Sequence, residues 1–535
     1  MLRNLPAPPK SLVSVDPAGW LRVFGPGAII ASLTIGTGEL IFSSRGGALF
    51  GYRVLFLFVV ICLAKWVLVY STARHMVVSG IHPFQRWMEL PGGPRGWLPL
   101  ILWLMAAICI PVWVSFHASV LGDLVATTTG TKKWWNGASV HVWGGLILTS
   151  IVLLALRGGY RSLERVQLAI VAAMLAAMCV SLVLLEPNWW ELLAGFVVPR
   201  TLSYPSWLAD DPSAAVRQIA ERPEWVEATL YVGVIGGAGY DYLAYTSFLR
   251  DKGWGMAGLC SGALPAEEGT LWHERYTILR QWMRAPLIDC TVSFLVVLLF
   301  SGVFVASGAI VLGPRHQLPS NEGFLEHQAQ FVTQLHPWLY PLYVVGVLLT
   351  MLGTLYGTLE VAPTIMREFM IALSDKRHCT SGTSTHGTGA QRSAGDRYRK
   401  SAILWSGGGA CLVLAISFWH QLRGADGRPP GLEQLLIPAN LFTGVLLCGI
   451  VCLTNPWCDR KLPAALRLPI VMVLLNLAAG VAFVTLSVWS AWSSNGWFAV
   501  AILAGTVMVG YVIATLLALR LREPHPAPKR EGNER

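Results

Sequence analysis

The chain has 535 residues, 54% of them hydrophobic and 13% charged, with a mean hydropathy of +0.53. Ordinary soluble domains carry about a quarter charged residues, so a soluble globular protein is excluded and an all-α polytopic membrane protein is expected. The formal net charge of +10 does not point to nucleic acid, because most Lys and Arg fall in the loops of one side; the expected surroundings are membrane lipid.

The apolar runs are continuous rather than alternating, which excludes a β-barrel. The cysteines lie mostly inside those runs, with no CxxC pair, and read as small buried residues. The first residues, MLRNLPAPPKSL, lack an apolar signal core, so no cleaved signal peptide is expected.

Twelve segments approach the roughly 20 apolar residues that a bilayer requires. They are residues 24–48, 52–72, 98–126, 140–157, 165–187, 227–249, 284–312, 336–373, 402–420, 434–454, 467–489 and 496–520, called spans one to twelve below. The Lys and Arg bias places both termini in the cytoplasm of a plasma or inner membrane. Residues 1–23 and 522–535 are then cytoplasmic tails, 24–455 a transport core, and 456–521 an accessory pair of spans. The polar connector 376–400 is expected to be without fixed structure. Its His378, His386 and Cys379 are read as parts of a solvated linker rather than a metal site. The Trp-rich stretch 188–226 is expected at the outer interface, and 251–282 along the cytoplasmic face.

Two spans are interrupted in the same way. Span one carries Gly36, Thr37, Gly38 and Glu39 in its middle; span six carries Gly233, Gly236, Gly237 and Gly239, then Tyr240, Asp241 and Tyr242. Each glycine weakens a helix by about 1 kcal/mol relative to alanine, and an acid beside the weak point needs a cavity or a partner. Glycines also permit close helix packing, so either span alone is ambiguous. The two lie five spans apart, and paired interruptions point to an inverted-repeat transporter with a midplane site. Five spans per repeat put 24–187 and 227–455 in opposite orientations. Glu39 and Asp241 are expected to converge.

Other intramembrane polar residues are secondary candidates. Asn440 follows Pro438 in span ten and is a possible neutral ligand, with packing an equal reading. His117, Asp289 and Glu360 are candidates for a proton or cation relay, each with a structural alternative.

The stretches GPGAIIASLTIGTGELIF and GGALFGY, STARHMVVSGIHPFQRW after span two, and LGTLYGTLEVAPTIMREFM in span eight resemble Nramp-type divalent-metal transporters, in order, over spans one to ten. The resemblance implies a LeuT-like 5+5 inverted repeat with spans one and six broken. It also implies import of Mn²⁺ or Fe²⁺, usually with protons. The site motifs depart from the family: Asp-Pro-Gly-Asn is replaced by Gly36, Thr37, Gly38 and Glu39. Met-Pro-His is replaced by Gly239, Tyr240 and Asp241, and the span-three acids are absent around Pro111 to Ser115.

With the thioether gone and the acids moved, Glu39 and Asp241 are the expected metal ligands, and oxygen ligands suit Mn²⁺ or Mg²⁺ better than Fe²⁺. The expected function is alternating-access transport of such a cation, bound only in transit, with no resident cofactor and a coupling proton left open. The same residues also resemble the Gly-Ser-Gly and Gly-Phe-Asp turns of amino-acid and polyamine transporters, so an amine or amino-acid cargo is the alternative. A receptor or scaffold that kept the fold is a third reading. No HExxH or GxSxG appears, and an enzyme is not expected.

Overall fold

In hydrocarbon every backbone polar group must be satisfied within the chain, which leaves helices as the solution for long apolar runs. The computed structural model describes residues 5–13, 25–27, 34, 36, 39–157, 169, 172–173, 176–177, 179–184, 186–211, 214–259, 270–318, 324–333, 336–373, 389–423 and 438–520. Among these every regular element is helical.

Eight helical runs among the described residues are long and apolar enough to cross a membrane. They hold spans two, three, four, seven, eight, nine, ten and eleven. The others are absent from that set for local reasons. Span one is described only in part before Glu39 and continues as Ser44–Phe50. Span five is only partly described. Span six is split into Glu224–Val234 and Gly239–Asp251. Span twelve forms the far part of Ile470–Arg520, which breaks at Gly496.

The spans pack in two groups. Spans three, four, eight and nine contact one another, while the second half of span one packs with span seven and span seven with span two. The second half of span six touches span two on one side and span eight on the other, so the broken spans lie between the groups. One apolar cluster runs through the interior, with Phe58, Tyr231, Phe300 and Phe304 among its fully enclosed side chains.

Span two, Val54–Ser79, stops at Gly80, and the chain re-enters a short helix at Pro83. The His82 ring accepts from the Phe84 N–H, and the Gln85 side chain accepts from the His82 N–H, closing that helix start.

The connector expected to lack structure is corrected at its far end. Span nine begins at Gly389, not near 400. Arg399 explains the extension: it donates to the Ala155 carbonyl of span four at 3.0 Å and pairs with Glu360 of span eight. His378, Cys379 and His386 lie outside the described residues.

Candidate functional site

Glycine at two positions is what opens span six. Gly236 and Gly237 have φ of 86° and 98°, a region that costs other residues heavily. The helix Glu224–Val234 therefore ends, the chain runs extended, and Gly239–Asp251 starts afresh. A break at membrane depth strands backbone groups that must find partners, and from Ile235 to Ala238 each of them does. The N–H of Ile235 and of Gly237 donate back to Tyr231 and Val234. The N–H of Gly236 donates to Glu39 Oε1 at 3.0 Å, and that of Ala238 to Asp241 Oδ2 at 2.8 Å. Lys65 Nζ donates to the carbonyls of Ile235 and Gly237, each at 2.7 Å. The Tyr242 hydroxyl donates to the Gly236 carbonyl at 2.5 Å, and the Ala238 carbonyl accepts from the next helix.

The two broken spans touch through Glu39, whose carboxylate reaches the Gly236 N–H of span six, while Asp241 caps the Ala238 N–H of its own span. Their roles differ. Glu39 is fully buried at the start of a π-helical turn, Glu39–Ser43. Besides Gly236, its carboxylate accepts from Ser43 at 2.9 Å and from Ser301 of span seven at 2.5 Å. It is tied into the wall rather than facing open space. Thr37 and Gly38 lie outside the described residues. Gly36 packs so closely on Thr354 of span eight that a Cβ there would meet the threonine side chain.

Asp241 does face open space. A cavity of about 610 Å³, including its open mouth, lies between spans one, three, six, eight and ten. Asp241, Tyr240 and Gly237 line it together with Thr34, Trp113, His117, Thr354, Thr358 and Thr443. Among the described lining residues Asp241 is the only carboxylate, and none of them carries sulfur. Thr34 Oγ1 is buried without a hydrogen-bond partner among the described residues. A Cβ on Gly237 would sit 2.9 Å from it and 3.5 Å from Asp241 Oδ2, so the two oxygens flank that glycine. Trp113 donates to Thr443 Oγ1 at 3.0 Å and lies 5.7 Å, ring to ring, from His117. The Tyr240 hydroxyl donates to the Leu102 carbonyl of span three at 2.5 Å, leaving its ring as cavity wall. Gly239 lies against Leu447 of span ten and does not line the cavity.

The remaining candidates are placed elsewhere. Asn440 is buried beside Gly233, with its amide 3.4 Å from the Leu230 carbonyl and its Oδ1 without a partner. Asp289 accepts from the N–H of Gly25 and Gly27 at 3.0 and 2.7 Å and from Tyr245 at 2.8 Å, so it holds the first turn of span one against span seven. Glu360 accepts from Tyr356 at 3.0 Å and pairs with Arg399 of span nine. Neither acid lines the cavity, whereas His117 does.

Sequence reasoning did not single out Thr34, Lys65 or the two ion pairs that close the ends of span six. At one end Arg45 pairs with Glu227 at 2.7 Å, and Tyr231 donates to Glu227 at 3.0 Å. At the other, Arg250 donates to both oxygens of Glu368 at 2.7 and 2.8 Å, joining span six to span eight. His82 Nε2 sits 3.0 Å from the Leu243 carbonyl, and its Nδ1 lies 4.0 Å from Glu368. Burial pulls its imidazole down to about 4, against the opposing pull of Glu368 and the Leu243 carbonyl. The usable signal was ionisable side chains inside apolar runs, which by default mark function or a partner.

Among the described residues no three His, Cys, Asp or Glu side chains are grouped to hold a metal ion. A cation in this cavity would meet one carboxylate, several hydroxyls and its own water.

The natural resistance-associated macrophage protein-like (Nramp) family model matches residues 27–374, well over half of the chain. The divalent metal cation transporter MntH of Latilactobacillus sakei is 27% identical over 187 residues, 34% of this chain and 38% of that protein. Metal transporter Nramp4 of Arabidopsis thaliana is 26% identical over 188 residues, 34% of this chain and 35% of that protein. Both alignments thus span little more than a third of the relative's length. Crystal structures of the Eremococcus coleocola manganese transporter superpose with a TM-score of 0.64 at 15% identity, covering 94% of this chain and 96% of that one. That likeness carries the fold.

Proposed function

This chain belongs to the Nramp family, and from that premise we propose that it is a secondary transporter moving a divalent cation across the membrane by alternating access. The observation that carries the reading is Asp241, among the described residues the one carboxylate on the central cavity, beside a Thr34 hydroxyl that has no hydrogen-bond partner among them. The names of the relatives, divalent metal cation and manganese transporters, support the cargo class.

The lining chemistry favours a hard, partly hydrated cation such as Mn²⁺ or Mg²⁺ over Fe²⁺. Carboxylate, hydroxyl and water suit hard ions, whereas the soft thioether ligand is missing. Asp241 supplies the charge, and the Thr34, Thr354 and Thr443 hydroxyls complete an oxygen-rich wall. Glu39 is assigned to fixing the span-six turn rather than to holding cargo. With both termini cytoplasmic, the Arg250–Glu368 pair closes the inner end and the Arg45–Glu227 pair ties the outer half-helices together. Transport then proceeds as spans one and six move against spans three, four, eight and nine, which requires the Arg250–Glu368 link to open.

The aromatic walls Trp113 and Tyr240 beside Asp241 also suit a small organic ammonium, so the deciding experiment offers both cargoes. Purified full-length protein in liposomes is expected to take up Mn²⁺, with Mg²⁺ competing better than Fe²⁺, and Asp241→Asn is expected to lose that uptake while folding normally. Uptake of an amine or amino acid without any metal flux would overturn the cargo. Unchanged Mn²⁺ uptake in Asp241→Asn would overturn the site.

A further inference from the structure

The span-six break already holds a cation, and it is part of the protein. Lys65, on span two, is fully buried. Its ammonium donates to the carbonyls of Ile235 and Gly237 at 2.7 Å each. The peptide groups it touches are the same two whose N–H ends are capped by acids. The Ile235–Gly236 peptide runs from Lys65 at its oxygen to Glu39 at its N–H. The Gly237–Ala238 peptide runs from Lys65 at its oxygen to Asp241 at its N–H. Each peptide dipole is therefore aligned between a positive and a negative side chain, with Lys65 shared.

Unwound carbonyls at membrane depth are the groups with which transporters coordinate a coupling ion. Here they point at a side chain that cannot leave. We propose that Lys65 is the resident counter-cation of the span-six break: it takes the place that a small co-bound monovalent cation would fill. The turn is thus assembled, and the protein works, without such an ion. Lys65 is a positioning residue. It touches the backbone that carries Asp241, not the cargo, and the inference does not depend on which cargo the cavity takes.

The consequence is a difference in ion dependence that can be read without any transport assay. An ion that binds only the folded state raises its stability by mass action. Full-length protein in detergent is melted in equal concentrations of NaCl, KCl, LiCl and choline chloride. The wild type is expected to show the same Tm in all four, and a selective rise in any small-cation salt would overturn the proposal.

Lys65→Met vacates the carbonyls and leaves Glu39 and Asp241 without their shared cation. It is expected to melt several degrees lower in choline chloride and to recover saturably with Na⁺, Li⁺ or K⁺. A folded Lys65→Met whose Tm ignores the identity of the cation overturns the proposal. If that variant is not recovered folded, Lys65→Gln replaces it in the same series; its amide can still donate to the carbonyls but brings no charge, and the same two outcomes decide. The wild-type arm stands independently of both variants. It also separates this proposal from the transport reading, since a protein that moves no Mn²⁺ still reports its salt-selective melting.

Discussion

In span six, every backbone N–H and C=O from Ile235 to Ala238 has a partner, and those partners include two carboxylates and an ammonium. In span one, Gly36 is held by its close approach to Thr354, its N–H turns back to the Thr34 carbonyl, and the Thr34 hydroxyl is left without a partner. One interruption is set by charge and the other by contact. The difference teaches how the two halves of a repeat can share a topology without sharing a chemistry. The span-six turn is held by charged side chains, and beside Gly36 the Thr34 hydroxyl has no partner among the described residues.

Asp241→Asn should have the largest effect, abolishing Mn²⁺ uptake in liposomes, because it neutralises the only carboxylate among the described lining residues while its side-chain oxygen can still accept from Ala238. A rate near wild type would put the cargo elsewhere, on the span-one side.

Acid should come next, and it should act on span six. His82 is neutral when folded because burial lowers it from 6.5 to about 4. As pH falls below about 6.5 the unfolded chain takes up this proton first, so stability is lost progressively and the loss is complete near pH 4. In detergent melts, His82→Gln should flatten the part of that pH dependence that His82 contributes. An unchanged profile would remove His82 from the account of how the Leu243 end of span six is held.

Glu39→Gln should cost about 1–3 kcal/mol of stability, the range for disturbing a buried hydrogen-bonded group, with little change in the KM for Mn²⁺. A raised KM at unchanged Tm would instead make Glu39 a cargo ligand and the two breaks chemically alike. Smallest should be Thr34→Val. It removes a hydroxyl that has no partner, so Tm should hold or rise slightly while KM rises several-fold. If Tm falls and KM stays fixed, the hydroxyl serves packing.

Much of this frame was visible in the residue order. The glycine clusters ahead of Glu39 and Asp241 announced both breaks, and their five-span separation announced the inverted repeat. What remained hidden were relations between distant residues. Nothing in LFLFVVICLAKWVLVY says that Lys65 reaches the carbonyls of Ile235 and Gly237. Glu39 and Asp241 look equivalent in sequence, each an acid in or after a run of glycines. Only the positions of Ser43 and Ser301 show that one carboxylate is occupied and the other faces the cavity. Asp289 was visible as an intramembrane acid, but its partners, the N–H groups of Gly25 and Gly27, lie more than 260 positions away. Burial in an apolar span reveals that an ionisable group must have a partner, not which one.

The hydroxyl of Tyr240 reaches to the Leu102 carbonyl, joining span six to span three. A neutral hydrogen bond of this kind is worth about 1 kcal/mol net, equivalent to a roughly fivefold bias between two arrangements. That is enough to make one arrangement the resting one and too little to trap it. In the proposed transport cycle the hydroxyl's grip on span three acts as a detent: the arrangement it closes is favoured between cycles, and a cargo with only modest preference for the other state can release it.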